Sequence, residues 1–466
     1  MVVGAPAQKG SDKRGRRPEE LWSLNSNNHQ RPPHMNGSTL KSIVSATLSP
    51  AVIEKIAAKH ALVQRAGGLV CSSDLVLSLC VASCIGPDRS IAEARRQWEL
   101  ITGRTIARSS FDAHFDKVAL GDSIWDLLRA TIKTSNRMLR RQWPSALRDL
   151  FDVLIDDGSR ARLRRKAKEE FPATDEDTAG VKLMARMSLG ECKLIEASVG
   201  AARTHDHALR PRTKLEANVL CLRDLGFYDH GEFAAICAAG AFFVSRWKEG
   251  VTAIVRGHAS GLLLPESLAQ EQPLERSDVL GRTSDVDAEL NLENGATLPV
   301  RLVRVRFVLV DKRGKETGEQ ERWYVTNLPR ERWDVDAIST AYRLRWLVER
   351  AFRRMKHVAR MDHLQTSRKT AVMALLGAAL LVSALAERVH HELAREEGIT
   401  RVSLERCQLM LSSALHRIVQ LLMCEHTGRV LDFQAIARLV THESRHPNPS
   451  QPHLVSDVFA TLSEAA

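Results

Sequence analysis

The sequence predicts an α/β fold: a mixed core with a β-rich insertion, flanked by helical regions at both ends. Three observations carry this. Short apolar runs that end in acidic or Gly-containing turns alternate with helical patterns between residues 146 and 250. Residues 251–326 then change character, with apolar/polar alternation in VDAELNL (286–292) and VRLVRVRFVLV (300–310). On either side the apolar residues recur with helical period.

Composition narrows the class of partner. The 466 residues carry a formal net charge of +11 and a pI near 9.4, with 44% hydrophobic and 26% charged residues. A globular chain of that balance suits an anionic polymer, DNA or RNA first. Only three Tyr and 5% aromatics argue against a surface of many stacking rings. The eight Cys include no C-x2-C pair and no Cys/His cluster with zinc spacing, so they read as reduced core thiols of a cytosolic protein. The most lipid-like stretch, Ala371–Ala386, has 16 residues and contains Gly377 and Ser383. It is too short to span a bilayer and reads as a buried core helix.

In chain order, residues 1–45 are a polar, basic tail read as disordered. Met35 offers an alternative start. Residues 46–145 read as helical. Ser72–Cys84 is an apolar helix, Ser90-Ile91-Ala92-Glu93 is a capping box, and a further helix begins near Ser109. Tight Gly-containing turns between short helices suit either a helix-turn-helix or a packing bundle. Arg95, Arg96, Arg104, Arg108 and Lys117 favour DNA contact.

Phe151, Val153, Leu154 and Ile155 predict a buried strand ending on Asp156-Asp157-Gly158-Ser159. Two strands meet at Gly190, and a fourth, Val219–Leu222, leads into Asp224. A helix over His230–Ala239 and a strand over Ala241–Trp247 follow. Acids at the ends of apolar strands are costly unless they lie at a rim or bind a cation. In the insertion, Asn294-Gly295 is a hairpin signal, and Glu321–Thr326 is the last strand.

Ala341–Leu364 then reads as one long helix, without Pro or Gly. Tyr342, Arg345, Glu349 and Lys356 fall within roughly a 60° arc of one face at about 100° per residue. Arg353 and Arg360 add charge near that face. Only helices follow: Thr370–Ala394, Leu404–Cys424 and one near Phe433–Leu439. The stripe Leu404, Cys407, Leu411, Leu415, Val419 suits either dimerisation or packing on the chain's own core.

The spacing Tyr-x2-Arg-x3-Glu-x6-Lys at 342–356 resembles the signature of the YREK group of insertion-sequence-four family transposases. Asp-Gly-Ser at 157–159 and Asp-x-Gly-Phe at 224–227 resemble the family's other two acidic motifs, in the same order. The resemblance runs from about Phe111 to Leu364. It implies a ribonuclease-H-like catalytic core, residues 146–250 plus 327–395, interrupted by the insertion 251–326. It further implies cut-and-paste transposition of an insertion sequence: DNA cleavage at transposon ends and strand transfer into target DNA. Asp157, Asp224 and Glu349 are then the catalytic acids and ligands of Mg²⁺ (or Mn²⁺), since all-oxygen donors suit those ions. The Asp-Gly-Ser pattern favours Asp157 over Asp156, which becomes a rim residue or a group behind the metal.

The implied DNA contacts are Tyr342, Arg345, Arg353 and Lys356, with Trp323 as a strand Trp that receives a flipped base. From the residues alone, Trp323 is a packed strand Trp. The implied partners are terminal inverted repeats and target DNA, with a homodimer in the DNA complex in which residues 396–466 can take part. The expected location is the cytoplasm, on the nucleoid. The alternatives are a non-catalytic or domesticated DNA-binding protein, and a nuclease of the same core that does not join strands.

Overall fold

A ten-stranded sheet runs through the computed structural model of this chain. Its strands are β1 Asp152–Leu163, β2 Ala179–Ser188, β3 Lys193–Ala201, β4 Val219–Arg223, β5 Phe242–Arg246, β6 Thr252–His258, β7 Glu271–Pro273, β8 Asp285–Asn291, β9 Thr297–Val310 and β10 Glu316–Thr326, in the order β3-β2-β1-β4-β5-β10-β9-β8-β6-β7. The structure describes residues 35–63, 68–85, 89–134, 136, 139–258, 271–273, 285–310, 316–357, 361, 364–423, 430–445, 458–459 and 462. The basic tail before Met35, Arg360 and Cys424 lie outside them.

β1 to β3 pair antiparallel, while β1, β4 and β5 pair parallel. That half of the sheet has the strand order and directions expected from the resemblance to a ribonuclease-H-like core. The insertion is not a separate sheet, because β10 pairs antiparallel with β5 and carries β9, β8, β6 and β7 outward.

The central strands are apolar on both faces because both are covered. Val153, Ile155, Leu220, Leu222 and Val244 face one core, and Leu154, Val219, Cys221 and Phe243 the other. The second face is covered by a helix at His230–Ala238. The first face meets most of the helices.

The N-terminal helices are α1 Gly37–Leu48, α2 Pro50–Lys59, α3 Ser72–Ala82, α4 Ile91–Thr102, α5 Arg108–Asp112, α6 Val118–Lys133 and α7 Ser145–Arg148. The capping box forms, with Glu93 N–H donating to Ser90 Oγ at 3.1 Å. After α8 Asp206–Leu209 and α9 His230–Ala238 come α10 Val335–Tyr342, α11 Trp346–His357, α12 Lys369–Glu397, α13 Leu404–Met423 and α14 Val430–Ser444. The two ends of the chain share one helical layer: α1 packs on α14, and α3 and α6 pack on α12. The helix α12 is long and apolar enough to cross a membrane by length and composition. However, 89% of its most apolar window is buried inside the fold.

Three expectations need correction, and one open choice is narrowed. Ala341–Leu364 is not one helix. α10 covers Val335–Tyr342, residues 343–345 tighten into a 3-10 turn, α11 covers Trp346–His357, and Met361 and Leu364 are not helical. Tertiary bonds made by Tyr342 and Arg345 hold that tighter winding, which no local sequence feature demands. Phe151 lies outside the strand and is exposed. β1 does not end on its acids either. It continues to Leu163 because β2 pairs with it throughout. Finally, Cys407, Leu411, Leu415 and Val419 are fully buried within the chain, where α13 packs on α12 and α14.

Candidate active site

The strand register places the acids. β4 pairs with β1 only from Asp152↔Val219 to Asp156↔Arg223. Asp157 and Asp224 are therefore the first residues past the last rung on two adjacent parallel strands. Successive side chains on a strand point to opposite faces. Asp157 shares its face with Val153 and Ile155, where α11 packs on β1. Asp156 points the other way and is 1% exposed. It is no rim residue: Arg186 and Arg223 enclose it on the far face.

On the α11 side, the Arg345 guanidinium lies between two of the acids. One terminal nitrogen is 3.2 Å from Asp157 Oδ2 and the other 2.5 Å from Glu349 Oε1. The Glu349–Arg345 spacing of four residues across the 3-10/α junction brings both onto the face above β1. Asp157 Oδ1 also accepts from Gly158 N–H at 2.7 Å. The position after the acid is kept free of a side chain: a Cβ on Gly158 would meet Met184 Sδ at 2.6 Å.

Burial pushes the Asp157 carboxyl up from 3.8 to about 6. Gly158 N–H and Arg345 work against the rise, and Asp224 and Glu349 add to it by repulsion. Burial lowers the Arg345 pKa, but Tyr342, Asp224, Glu349 and Asp157 outweigh it, so the net shift is upward. These mutual effects place Asp224 in the same electrostatic cluster.

Not every predicted site residue turns a free polar group towards the acids, although the Tyr342 ring lies 5.8 Å from the Arg345 guanidinium. Tyr342 is buried, donates its hydroxyl to the Arg223 carbonyl at 3.0 Å and packs on Tyr324 with ring centroids 5.0 Å apart. Its hydroxyl is thus committed within the protein. Arg353 is exposed on α11, and Lys356 is half-buried two turns beyond Glu349. Trp323 faces the opposite side of β10 from Tyr324, packs against the second core, and has Arg304 over its ring at 5.4 Å.

In the N-terminal region Arg95 and Arg96 pair with Glu99 and Glu93, and Lys117 and Arg104 donate to backbone carbonyls. Sequence reasoning missed the buried Arg186 and Arg223. It also missed Trp346, half exposed beside Arg345 with the guanidinium 6.0 Å from its ring.

The donor set suits a hard divalent cation: carboxylate oxygens that repel one another and raise Asp157. Among the described residues, though, no three His, Cys, Asp or Glu side chains are gathered closely enough to hold a metal ion. Arg345 stands between Asp157 and Glu349, supplying positive charge there.

Comparison with known proteins gives a consistent family. The family model described as Transposase DDE domain matches residues 149–385. The transposase for insertion sequence element IS231C of Bacillus thuringiensis subsp. berliner is 20% identical over 429 residues, covering 85% of this chain and 84% of that protein. The IS231F transposase of Bacillus thuringiensis subsp. israelensis is 22% identical over 217 residues, covering 41% of this chain and 46% of that protein. The IS1151 transposase of Clostridium perfringens is 19% identical over 371 residues, 72% of this chain and 77% of that one. Among solved structures the chain is similar to the piggyBac transposase synaptic complex with hairpin DNA, at a TM-score of 0.44 and 12% identity, covering 87% and 85% of the two chains.

Proposed function

From the premise that the chain belongs to the DDE-domain transposases, we propose that it cleaves the ends of its own insertion sequence and joins them to target DNA, using Asp157, Asp224 and Glu349. Family membership carries a general dependence on a divalent metal. The finer reading is that these three acids hold Mg²⁺ or Mn²⁺. When bound, such ions activate a water or 3′-hydroxyl and stabilise the leaving oxygen.

The observation that supports this reading is the placement of Asp157 and Asp224 just past the β1–β4 ladder, with Glu349 presented above them by α11. The chain's own residues have separate tasks. Arg345 neutralises the acids and must release at least one of them as the site fills. Once released, its guanidinium is free to take a DNA phosphate. Arg353 and Lys356 extend the same positive track along α11. Tyr342 locks the helix to the β4 end, and Trp323 offers a base-sized ring on the insertion.

Residues 46–145 contribute DNA contacts in this reading, and the protein acts in the cytoplasm on nucleoid DNA. Two copies are needed on a pair of ends, since one acidic site serves one end at a time. The α13 stripe is already buried within the chain, so other surfaces make that contact.

The test is a strand-transfer assay with labelled end DNA, a target plasmid and Mg²⁺ or Mn²⁺. Joined products are expected. Cleaved ends that never join would leave a nuclease of the same core.

A further inference from the structure

The polar residues buried on the far face of the sheet have no role in the chemistry above, yet two of them, Asp156 and Arg223, sit one residue before Asp157 and Asp224. Asp156 is the Cα partner of Arg186 on β2 and of Arg223 on β4. The three side chains form a row across three strands, each residue 1% exposed. Arg186 grips Asp156 by two parallel bonds, 2.7 Å to Oδ1 and 2.8 Å to Oδ2, and donates to the Thr213 carbonyl at 3.2 Å. Arg223 lies 3.1 Å from Asp156 Oδ2 and 3.0 Å from Glu232 Oε1 on α9. The row itself holds two cations and two anions, and Arg210 adds a third cation at its outer end, 2.8 Å from Glu232 Oε2.

Stability alone does not call for such a row. Buried ion pairs replaced by well-packed apolar groups are often neutral or better, whereas removing one partner costs about 3–5 kcal/mol. A bidentate guanidinium–carboxylate pair does supply fixed direction and distance. Here it fixes β1 against both neighbours at the last rung of the ladder, and the next residues are Asp157 and Asp224. Tyr342 bonds the Arg223 carbonyl, so the segment carrying Arg345 and Glu349 is keyed to the same rung.

We propose that the row Arg186–Asp156–Arg223–Glu232 is a positioning device that sets the spacing of Asp157 and Asp224, and through it the affinity of the site for a divalent cation. The inference rests on the assignment of those two acids as cation ligands. Residues supporting metal ligands from behind change affinity by about 10–100-fold when altered.

The test is Mn²⁺ binding to the full-length protein without DNA, followed by the paramagnetic signal of free Mn²⁺. The double variant Asp156→Asn/Arg223→Gln leaves the net charge unchanged. It is expected to retain its circular-dichroism spectrum and to bind Mn²⁺ at least about tenfold more weakly. Its cleavage should need more Mn²⁺ while the rate at saturating Mn²⁺ stays closer to wild type. Arg223→Lys keeps the charge without the fork, and a loss of about threefold or more is expected.

A folded double variant that binds Mn²⁺ as wild type does overturns the positioning role. If the double variant does not fold, unchanged binding by Arg223→Lys overturns it. Asp157→Asn separates this failure from that of the function itself. Wild-type Mn²⁺ binding that does not depend on Asp157 removes the cation site, and this inference with it. Binding that needs Asp157 but ignores the row removes only the inference.

Discussion

Asp157 is placed at a cost to the fold, and that cost is measurable. Its carboxyl rises from 3.8 to about 6, chiefly through burial. The folded protein therefore holds this proton more tightly than the unfolded chain. The stabilisation from the protonated form is complete below about pH 4 and is lost as pH rises through about 6. The displacement corresponds to about 3 kcal/mol. Asp157→Asn removes the ionisation while keeping the shape and the Arg345–Glu349 pair. In chelator at pH 8 the variant should be more stable than wild type by about 1–3 kcal/mol, or about 1–3 °C in melting temperature for a folded unit of this size. At pH 4 the two should coincide. Added Mn²⁺ should raise the wild-type melting temperature and leave the variant's nearly unchanged. Scanning calorimetry at the two pH values decides the matter. A variant that melts with, or below, wild type at pH 8 refutes the view that this carboxylate is held under electrostatic strain.

Three further outcomes follow from packing and charge. Each phosphate contact contributes about −0.9 to the slope of log affinity against log salt, so Arg353→Ala should flatten the slope for end DNA by about one. An unchanged slope removes Arg353 from the interface. A Cβ on Gly377 would lie 3.0 Å from Ile124 Cγ2 and 3.1 Å from Trp125 Nε1, where α12 crosses α6. Gly377→Leu should therefore cost at least about 1–3 kcal/mol in urea unfolding, and an unshifted midpoint would show that the helices can part. Deleting residues 400–466 strips α13 and α14 from α12 and should give insoluble protein. A soluble truncation with a cooperative melt would show that this layer is dispensable.

Much of the site was legible because its signals are local. The acids follow apolar runs, and Glu349 sits at a fixed spacing from Tyr342 and Arg345. The alternation of the insertion strands told their positions, with β8 at Asp285–Asn291 and β9 at Thr297–Val310. Period-two parity also held the choice between the adjacent acids: Asp157 shares a face with Val153 and Ile155, Asp156 with Leu154. Which face meets α11 depends on strand order, and that is set by long-range pairing. For the same reason Arg223, inside an apolar strand, gave no sign of its partners. The break at 343–345 arises from bonds to residues more than 100 positions away. The α13 stripe could not tell its own core from a second copy, because an apolar face has the same pattern against either.

The central claim is that Asp157, Asp224 and Glu349 act together on DNA. Its most direct test is cleavage of labelled end duplex in Mn²⁺ by wild type, Asp157→Asn, Asp224→Asn and Glu349→Gln, with binding measured on the same preparations. Each variant is expected to lose cleavage by at least about 1,000-fold while still binding the duplex. Near wild-type cleavage by any one of the three, in a protein that binds normally, would contradict the assignment of that acid and the shared site with it.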